Sequence, residues 1–188
     1  MVKNLLKACF MMAALTAAGQ AAAETYTVGS GGTYRPFEFE NSQKQLEGFD
    51  IDIIKAIAKA EGFDVKLVNT PWEGIFATLN TGDRDIIISG ITITDKRKQM
   101  VDFSAPYFPA EQSIVVAQDS QVDSLAALKN EKVGVVNSST GDIVVSEVLG
   151  KNSTAIKRFD NTPLMLQELF EDGSYRYQWV VSLSRYVE

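Results

Sequence analysis

The segment Ser89-Gly-Ile-Thr-Ile-Thr-Asp-Lys-Arg97 carries the most concentrated set of residues that could bind a small ligand. It follows a continuous apolar run, Gly90 permits close approach to the backbone, and Thr92 offers a hydroxyl. Thr94 can cap a short helix that carries Arg97. The planar fork of a guanidinium suits a carboxylate, which it binds through two charge-assisted hydrogen bonds. The spacing is compatible with a carboxylate site, and equally with a solvated charge between the two flanking lysines.

Composition excludes several kinds of chemistry. The 188 residues include no histidine, so Ser-His-Asp catalysis, Cys-His catalysis and histidine ligands for zinc are excluded. With 24 acidic against 18 basic side chains, the formal net charge is −6, which disfavours nucleic acid as a partner. The single cysteine, Cys9, lies near the N-terminus, so we expect no disulfide in the exported protein. We also expect no cofactor and no metal ion.

Residues 1–23 have the three parts of a secretory signal peptide. Lys3 and Lys7 form a positive start, and the apolar run 8–18 is far shorter than the ~20 residues of a membrane span. Small residues at 21–23 supply a cleavage site. The alternative is a buried N-terminal helix. We therefore expect a periplasmic protein whose mature chain does not insert into a membrane.

Strand and helix patterns alternate through the first half of the chain. Apolar runs predict strands at 25–28, 64–68 and 85–89. Helical spacing predicts helices at 50–61 and 71–80, the first of which ends at Gly62. A βαβαβ order of this kind predicts a parallel sheet with helices on both faces. We assign residues 24–110 to lobe 1.

A second alternating series follows and predicts an α/β lobe 2 at 111–173. Its expected elements are a crossing strand at 113–118, helices at 124–128, 141–149 and 163–170, and strands at 132–136 and 155–159. With only two good interior strands, this sheet is marginal unless something completes it. Residues 174–188 form a divergent tail with three tyrosines and a tryptophan, although their propensity would allow a strand.

The carboxyl ends of the predicted strands indicate where a ligand would bind. In open α/β sheets ligands bind at these ends, which here are 29–34, 69–72, 89–94 and 137–141. Each is rich in small or hydroxyl residues, which would also serve as ordinary turns. The glycines from Gly29 onward fail as a dinucleotide motif, because Pro36 and an extended segment replace the phosphate-binding helix.

Four motifs in the same order resemble one family. They are Pro36-Phe-Glu-Phe39, Gly48-Phe-Asp-Ile-Asp52, Ser89-Gly-Ile-Thr-Ile-Thr-Asp-Lys-Arg97 and Val101-Asp-Phe-Ser-Ala-Pro-Tyr107. Together they resemble the periplasmic polar amino-acid-binding proteins of ABC importers, bacterial solute-binding protein family 3. The resemblance runs from about residue 26 to 173. It implies a type II periplasmic-binding-protein-like fold with two α/β lobes, mainly parallel sheets and an incomplete second lobe.

The resemblance also implies roles for the segment 89–97. By position, Arg97 would bind the α-carboxylate of an amino acid, helped by Thr92. Backbone oxygen at Ser89 or Gly90 would accept from the α-ammonium group. Substrate binding rather than catalysis is therefore expected, with the lobes closing around the ligand and the closed form docking to an inner-membrane ABC permease. We expect a monomer.

Four further residues match ligand-contacting positions of the family. Tyr34 and Trp72 would pack against the side chain of the ligand, where a cationic ligand would gain roughly 0.5 to 2 kcal/mol from the aromatic rings. Ordinary core aromatics are the alternative. Ser139 and Thr140 lie in the loop of lobe 2 that would close over the carboxylate.

Three departures from the family pattern bear on whether this chain can bind a ligand as the family does. Gly31 stands where some relatives have an acidic residue, and Asn137 where some have a basic one. The family continues into a strand that ends in an ammonium-binding aspartate, whereas no resemblance continues beyond Gly173. A frameshift or premature stop after about residue 173 would explain this, and so would a short variant that needs a partner.

Two alternatives to transport remain. One is a nonfunctional or partner-dependent fragment, in which an unpaired tail would favour aggregation. The other is a dehydratase-like enzyme on the same fold, which without histidine would need an acidic residue in the cleft. The candidates Glu38, Glu73 and Glu111 are better explained as surface or capping carboxylates.

Overall fold

Two sheets with parallel strands form the framework of the computed structural model, which describes residues 23–109, 111–116, 120–171 and 177–183. Nearly all of the predicted signal peptide, the segment 117–119 and both ends of the predicted tail lie outside the described residues. Below, lobe 1 denotes the described residues up to 109 and lobe 2 the described residues from 111, and elements are counted within these residues only. The α/β class with mainly parallel sheets is confirmed.

Lobe 1 contains nine elements. In chain order they are β1 (Thr25–Ser30), β2 (Thr33–Tyr34), β3 (Glu38–Glu40), β4 (Leu46–Glu47), α1 (Phe49–Glu61), β5 (Asp64–Asn69), α2 (Ile75–Asn80), β6 (Ile86–Ile87) and α3 (Asp95–Lys98). Strands β5, β1 and β6 form the parallel sheet in that order, and β2, β3 and β4 form a small antiparallel sheet.

Helix α1 shows how apolar spacing builds lobe 1. Ile51, Ile54 and Ala58 are buried at intervals of three and four residues, and Gly62 ends the helix in the left-handed conformation, as predicted. Each fully buried isoleucine stabilises the fold by about 1.5 to 3 kcal/mol. Ile57 follows the same apolar spacing but is 45% exposed. The helical pattern alone could not tell which apolar stripe faces the sheet.

Two predicted elements of lobe 1 are shorter than expected. The helix predicted at 71–80 begins only at Ile75, because Gly74 has a positive φ of 80° and the chain before it is a loop. That loop contains Trp72. The strand predicted at 85–89 pairs only over Ile86–Ile87, so Ser89 belongs to the segment that leaves the sheet. Both changes lengthen the loops at the carboxyl ends of the strands.

Lobe 2 contains seven elements. They are β7 (Glu111–Val115), a 3-10 helix (Ala126–Asn130), β8 (Lys132–Val136), α4 (Thr140–Leu149), β9 (Ile156–Phe159), α5 (Thr162–Glu171) and β10 (Tyr177–Leu183). Their core centres on Leu128, Val133, Val135 and Val145, all fully buried. Each predicted helix and strand within 124–171 is present to within two residues.

The segment 177–183 lies inside the sheet of lobe 2, whose order is β7-β10-β8-β9. Strand β10 pairs antiparallel with β7, where Val180 lies opposite Ile114, and parallel with β8, where Trp179 lies opposite Gly134. The unpaired tail that the fragment alternative assumed is therefore not found over these residues. The composition of this segment did not show that β7 and β8 lie one strand position apart in the sheet, with β10 between them.

Candidate functional site

A cavity lies between the lobes, at the carboxyl ends of the parallel strands of both sheets. All eight residues predicted to bind ligand line it: Tyr34, Trp72, Ser89, Gly90, Thr92, Arg97, Ser139 and Thr140. Lobe 1 contributes the loops after β1, β5 and β6. Lobe 2 contributes the ends of β8 and β9 with the first turns of α4 and α5. The location follows the general rule for ligand sites in open α/β sheets.

Arg97 is a buried cation within this cavity. It is 6% exposed, while its neighbours Lys96 and Lys98 are exposed, so the alternative of a solvated surface charge is wrong. Helix α3 positions it, since the Thr94 hydroxyl caps the helix and accepts a hydrogen bond from the Arg97 backbone N–H at 3.2 Å. Loss of hydration lowers the pKa of Arg97.

The Arg97 guanidinium is held by backbone oxygens rather than by a carboxylate. It donates to the carbonyl of Thr92 at 2.9 Å and to the carbonyl of Ser138 in lobe 2 at 3.3 Å. Within the described part of the chain, no carboxylate lies within ion-pair distance of it. Since a buried charge without a partner is unfavourable, the arrangement suits an anion from outside the chain.

Hydroxyl groups from both lobes meet beside Arg97. The hydroxyls of Thr92 and Thr140 lie 3.5 Å apart across the cleft, and Gln112 donates to Thr140 at 3.0 Å. Ser139 caps α4, because its hydroxyl accepts a hydrogen bond from the backbone N–H of Asp142 at 3.1 Å. Ser139 therefore has a structural task in addition to lining the cavity.

The two predicted aromatic residues, Tyr34 and Trp72, both line this cleft. The indole of Trp72 donates to the carbonyl of Asn137 in lobe 2 at 2.9 Å, so it also joins the lobes. Tyr34 stacks on Phe37 with ring centroids 5.3 Å apart. Gly90 has a φ of 55°, and a Cβ there would lie 2.9 Å from the Tyr34 ring. Glycine at this position therefore lets Tyr34 lie against the backbone.

Glu38 lines the same cavity, although the sequence analysis placed it on the surface. It is 2% exposed and accepts a hydrogen bond from the Ser89 hydroxyl at 2.7 Å. Burial raises the pKa of Glu38 to about 9, the Ser89 bond opposes this, and the charge of Asp50 adds to the rise. The alternation Phe37-Glu-Phe39 suggested an outward side chain, and no local signal indicated otherwise. Glu73 and Glu111 are exposed, as expected.

Asp50 is the buried neighbour of Glu38 and was not singled out from the sequence. Its carboxylate accepts from the backbone N–H of Gly90 at 2.6 Å and from the hydroxyl of Tyr107 at 2.9 Å. The backbone just before Asp50 requires glycine at residue 48, because a Cβ there would lie 2.4 Å from the carbonyl oxygen of Phe37. Burial raises the pKa of Asp50, against the opposing effect of these hydrogen bonds.

The end of β9 supplies a further part of the lining that the sequence analysis missed. Asp160, Asn161 and Thr162 follow this strand, and Met165 of α5 lies beneath them at 1% exposure. Their position after β9 is a sequence signal for them, because ligands bind at the carboxyl ends of strands in open α/β sheets.

The arrangement can bind a small zwitterion. Arg97, with the Thr92 and Thr140 hydroxyls, offers donors for a carboxylate, and Glu38 offers a carboxyl group elsewhere in the same cavity. No group of three or more acidic or cysteine side chains able to hold a metal ion occurs among the described residues. The described helices include none that is long and apolar enough to cross a membrane.

The fold and this cavity define a two-lobed solute-binding protein. The sequence profile of the bacterial extracellular solute-binding proteins, family 3, matches residues 26–177, and the chain belongs to this family. The predicted family is thereby confirmed. The match ends at residue 177, four residues beyond the end of the motif resemblance at about residue 173.

Individual relatives are similar over most of this chain. A probable histidine-binding protein of Neisseria gonorrhoeae is 45% identical over 151 residues, which cover 80% of this chain and 56% of the relative. The chain thus spans about half the length of the curated relatives it matches.

Two solved structures are similar as well. The arginine-, lysine-, histidine-binding protein ArtJ of Geobacillus stearothermophilus has a TM-score of 0.78 at 38% identity, covering 84% of this chain and 67% of that one. The ancestral amino acid-binding protein AncCDT-1, a precursor of cyclohexadienyl dehydratase, has a TM-score of 0.76 at 39% identity, covering 84% and 69%.

Proposed function

We propose that this chain is the substrate-binding component of an amino-acid ABC importer and binds a polar or charged amino acid between its two lobes. The observation that carries the proposal is the buried Arg97, which lacks a carboxylate partner within the described residues and faces a cavity formed by both lobes. A carboxylate ligand would supply the missing charge.

The residues of the cleft divide the ligand among them. Arg97, with the hydroxyls of Thr92 and Thr140, binds the α-carboxylate. Backbone oxygen at Ser89 or Gly90 accepts from the α-ammonium group. These assignments are supported by the finding that all five residues line one cavity.

The remaining cleft residues act on the ligand side chain and on closure. Tyr34 and Trp72 flank the side chain of the amino acid, and Ser139 orients the loop of lobe 2 by capping α4. The hydrogen bond from Trp72 to the Asn137 carbonyl favours the closed arrangement of the lobes.

A cationic side chain fits the cleft best. Glu38 is the acidic group of lobe 1 in this cavity, and it can supply a carboxylate to a guanidinium, ammonium or imidazolium. Two relatives support this preference, since their names state that they bind histidine, or arginine, lysine and histidine. Two nearby aromatic rings would add cation–π attraction.

The wider context of the function also follows from the family. We propose a periplasmic location reached through the signal peptide at 1–23, action as a monomer, and docking of the closed form to an inner-membrane permease. The lobes 24–110 and 111–173 would close on the ligand, and the strand at 177–183 completes the sheet of lobe 2.

A second candidate function, a dehydratase-like enzyme, is favoured by Glu38. A buried carboxyl group with a pKa of about 9 in a cleft is a candidate general acid. The similarity to a precursor of cyclohexadienyl dehydratase supports it further. Turnover of prephenate or arogenate by the purified protein would establish this activity. Absence of turnover, together with amino-acid binding, would exclude it.

Thermal unfolding of the purified protein with each of the twenty amino acids tests the main proposal. A ligand that binds only the folded state at a hundredfold excess over Kd adds about 2.7 kcal/mol of stability. We expect the basic amino acids to raise Tm. The amide of the best ligand, which lacks the carboxylate, should leave Tm unchanged. A transition that no amino acid shifts would contradict the proposal and favour a nonfunctional or partner-dependent fragment.

A further inference from the structure

Two buried carboxyl groups of lobe 1 accept hydrogen bonds from adjacent residues, Glu38 from Ser89 and Asp50 from Gly90, and Glu38 also lines the ligand cavity. Glu38 is 2% exposed and Asp50 is fully buried. In the described part of the chain, neither carboxyl group lies within ion-pair distance of a lysine or arginine. Two negative charges so close together without a cation are unfavourable, so the pair is expected to hold one proton.

The hydrogen bonds around the pair are unequal and indicate which group carries the proton. Asp50 accepts from the Gly90 backbone at 2.6 Å and from Tyr107 at 2.9 Å, and it lies in the first turn of α1, where the helix dipole favours a negative charge. Glu38 accepts one bond, from Ser89. Its second oxygen, Oε2, is buried and has no donor among the described residues.

These contacts place the negative charge on Asp50 and the proton on Glu38. Burial and the Asp50 charge raise the pKa of Glu38 to about 9, in agreement with this assignment. The other ionisable groups lining the cavity are Tyr34 and Arg97 of lobe 1 and Asp160 of lobe 2. The phenol of Tyr107 faces Asp50 from the segment 101–109, and its pKa is raised by burial and by the carboxylates.

We infer that Glu38 and Asp50 share one proton in the free protein, and that binding of an amino acid with a cationic side chain releases this proton to solvent. This inference rests on the proposed function and deepens it. The cation replaces the proton as the partner of Glu38, and the charge of the pair changes from −1 to −2. Asp50 is therefore a positioning residue that sets the protonation of Glu38 and determines how strongly a cationic ligand is preferred over a neutral one.

Calorimetric titration with L-arginine and L-citrulline tests the inference, because citrulline is a neutral molecule of nearly the same shape. At pH 7, titrations in buffers of different ionisation enthalpy give the number of protons released. We expect about one proton for arginine and none for citrulline. Between pH 6 and 8 the Kd for arginine should fall about tenfold per pH unit, whereas the Kd for citrulline should stay constant.

Two variants separate the roles of the carboxyl groups. Glu38→Gln should release no proton and lose the preference for arginine over citrulline. Asp50→Asn should keep the preference, but the pH at which arginine affinity stops rising should decrease, because the like charge that raises the pKa of Glu38 is absent. An unchanged pH dependence in Asp50→Asn would overturn its assigned role.

The outcomes distinguish failure of this inference from failure of the proposed function. Arginine binding without proton release would overturn the inference and leave the proposed function intact. Absence of binding by any amino acid would overturn the proposed function and the ligand-coupled release. Carbon-13 NMR of the ligand-free protein tests the shared proton separately. A side-chain carboxyl that titrates near pH 9 and is missing in Glu38→Gln supports it. Titration of every carboxyl below pH 7 overturns it.

Discussion

The two lobes bury an aspartate in the same local setting and give it opposite properties. Asp50 lies in the first turn of α1 and Asp142 in the first turn of α4, and each accepts a backbone N–H, from Gly90 at 2.6 Å and from Ser138 at 3.0 Å. Burial raises the pKa of both, and for Asp50 this effect dominates. For Asp142 the hydrogen bonds from Arg158, Ser138 and Ser146, together with the charge of Arg158, outweigh it, so its pKa is lowered.

The difference lies in the partner supplied by the chain. Arg158 binds both oxygens of Asp142 through Nε at 3.0 Å, and it also donates to Ser146. Lobe 2 therefore neutralises its buried charge internally. Lobe 1 contains an acid pair without a cation in the described residues, and one member of it, Glu38, lines the cavity together with the separate cation Arg97. Compensated charges hold a fold together, whereas uncompensated charges facing a cavity are available to a ligand.

The largest expected effect concerns the cation of lobe 1. Arg97→Ala should weaken amino-acid binding at least about thirtyfold, because loss of one partner of a buried charge pair costs about 2 to 5 kcal/mol. Calorimetry or the thermal shift with arginine measures it. Lys96→Ala changes an exposed neighbour and should leave Kd within twofold. Equal affinities in wild type and Arg97→Ala would refute the carboxylate assignment.

A smaller effect compares the two aspartates directly. Asp142→Asn should lower the free energy of unfolding by about 2 kcal/mol, below the value for a fully buried pair because Arg158 is partly exposed. Asp50→Asn should lower it by less than about 1 kcal/mol, since the substitution also removes a buried charge that has no cation beside it in the described residues. Urea unfolding at pH 7 measures both. Equal losses would mean that the carboxylates play the same structural role.

Stability should depend on pH in opposite directions in the two lobes. The pKa of Asp142 is lowered on folding, so its contribution is present above its unfolded pKa and is lost as pH falls below about 4. The pKa of Glu38 is raised, so its contribution is present below its unfolded pKa of about 4.5 and is lost as pH rises toward 9. Each group contributes at most about 1.4 kcal/mol per pH unit.

Single substitutions should remove these two pH dependences separately. In a series of Tm measurements from pH 3 to 10, Asp142→Asn should reduce the fall of Tm at acid pH. Glu38→Gln should reduce the fall of Tm at alkaline pH. If the Tm of Glu38→Gln fell at alkaline pH as much as the Tm of the wild type, the raised pKa of Glu38 would not cause the loss of stability there.

The smallest expected effect concerns the contact between the lobes. Trp72→Phe keeps an aromatic ring but removes the indole N–H that donates to the Asn137 carbonyl. Loss of one hydrogen bond of this kind costs about 1 kcal/mol, so Kd should rise about fivefold. The free energy of unfolding of lobe 1 should change little. An unchanged Kd would mean that this bond does not contribute to closure.

Most of the site could be predicted because its residues follow strands in recognisable order. The segment 89–97 follows an apolar strand, and the motif around Arg97 matches a family pattern, so the eight residues predicted to bind ligand all line one cavity. Two residues that the sequence did not indicate, Glu38 and Asp50, have ordinary local patterns. Their burial depends on the packing of β3 and α1 against the loop at Ser89 and Gly90.

The lobe 2 sheet shows the same limit. Composition set 174–188 apart as a tail, whereas β10 pairs with β7 and β8 over Tyr177–Leu183. Strand pairing joins residues that are distant in sequence, and a segment's own propensity does not state which partners lie beside it.

The amino-acid sequence by itself determined the family, the α/β class and which arginine we propose as the carboxylate partner, because periodicity and motif spacing are local properties. Only the tertiary structure decided which charges are compensated. The contact of Asp142 with Arg158, the absence of such a cation beside Glu38 and Asp50 in the described residues, and the burial of Arg97 all depend on how separate elements meet. These long-range contacts set the electrostatic energy of each group, and through it the part of the cleft that a ligand can use.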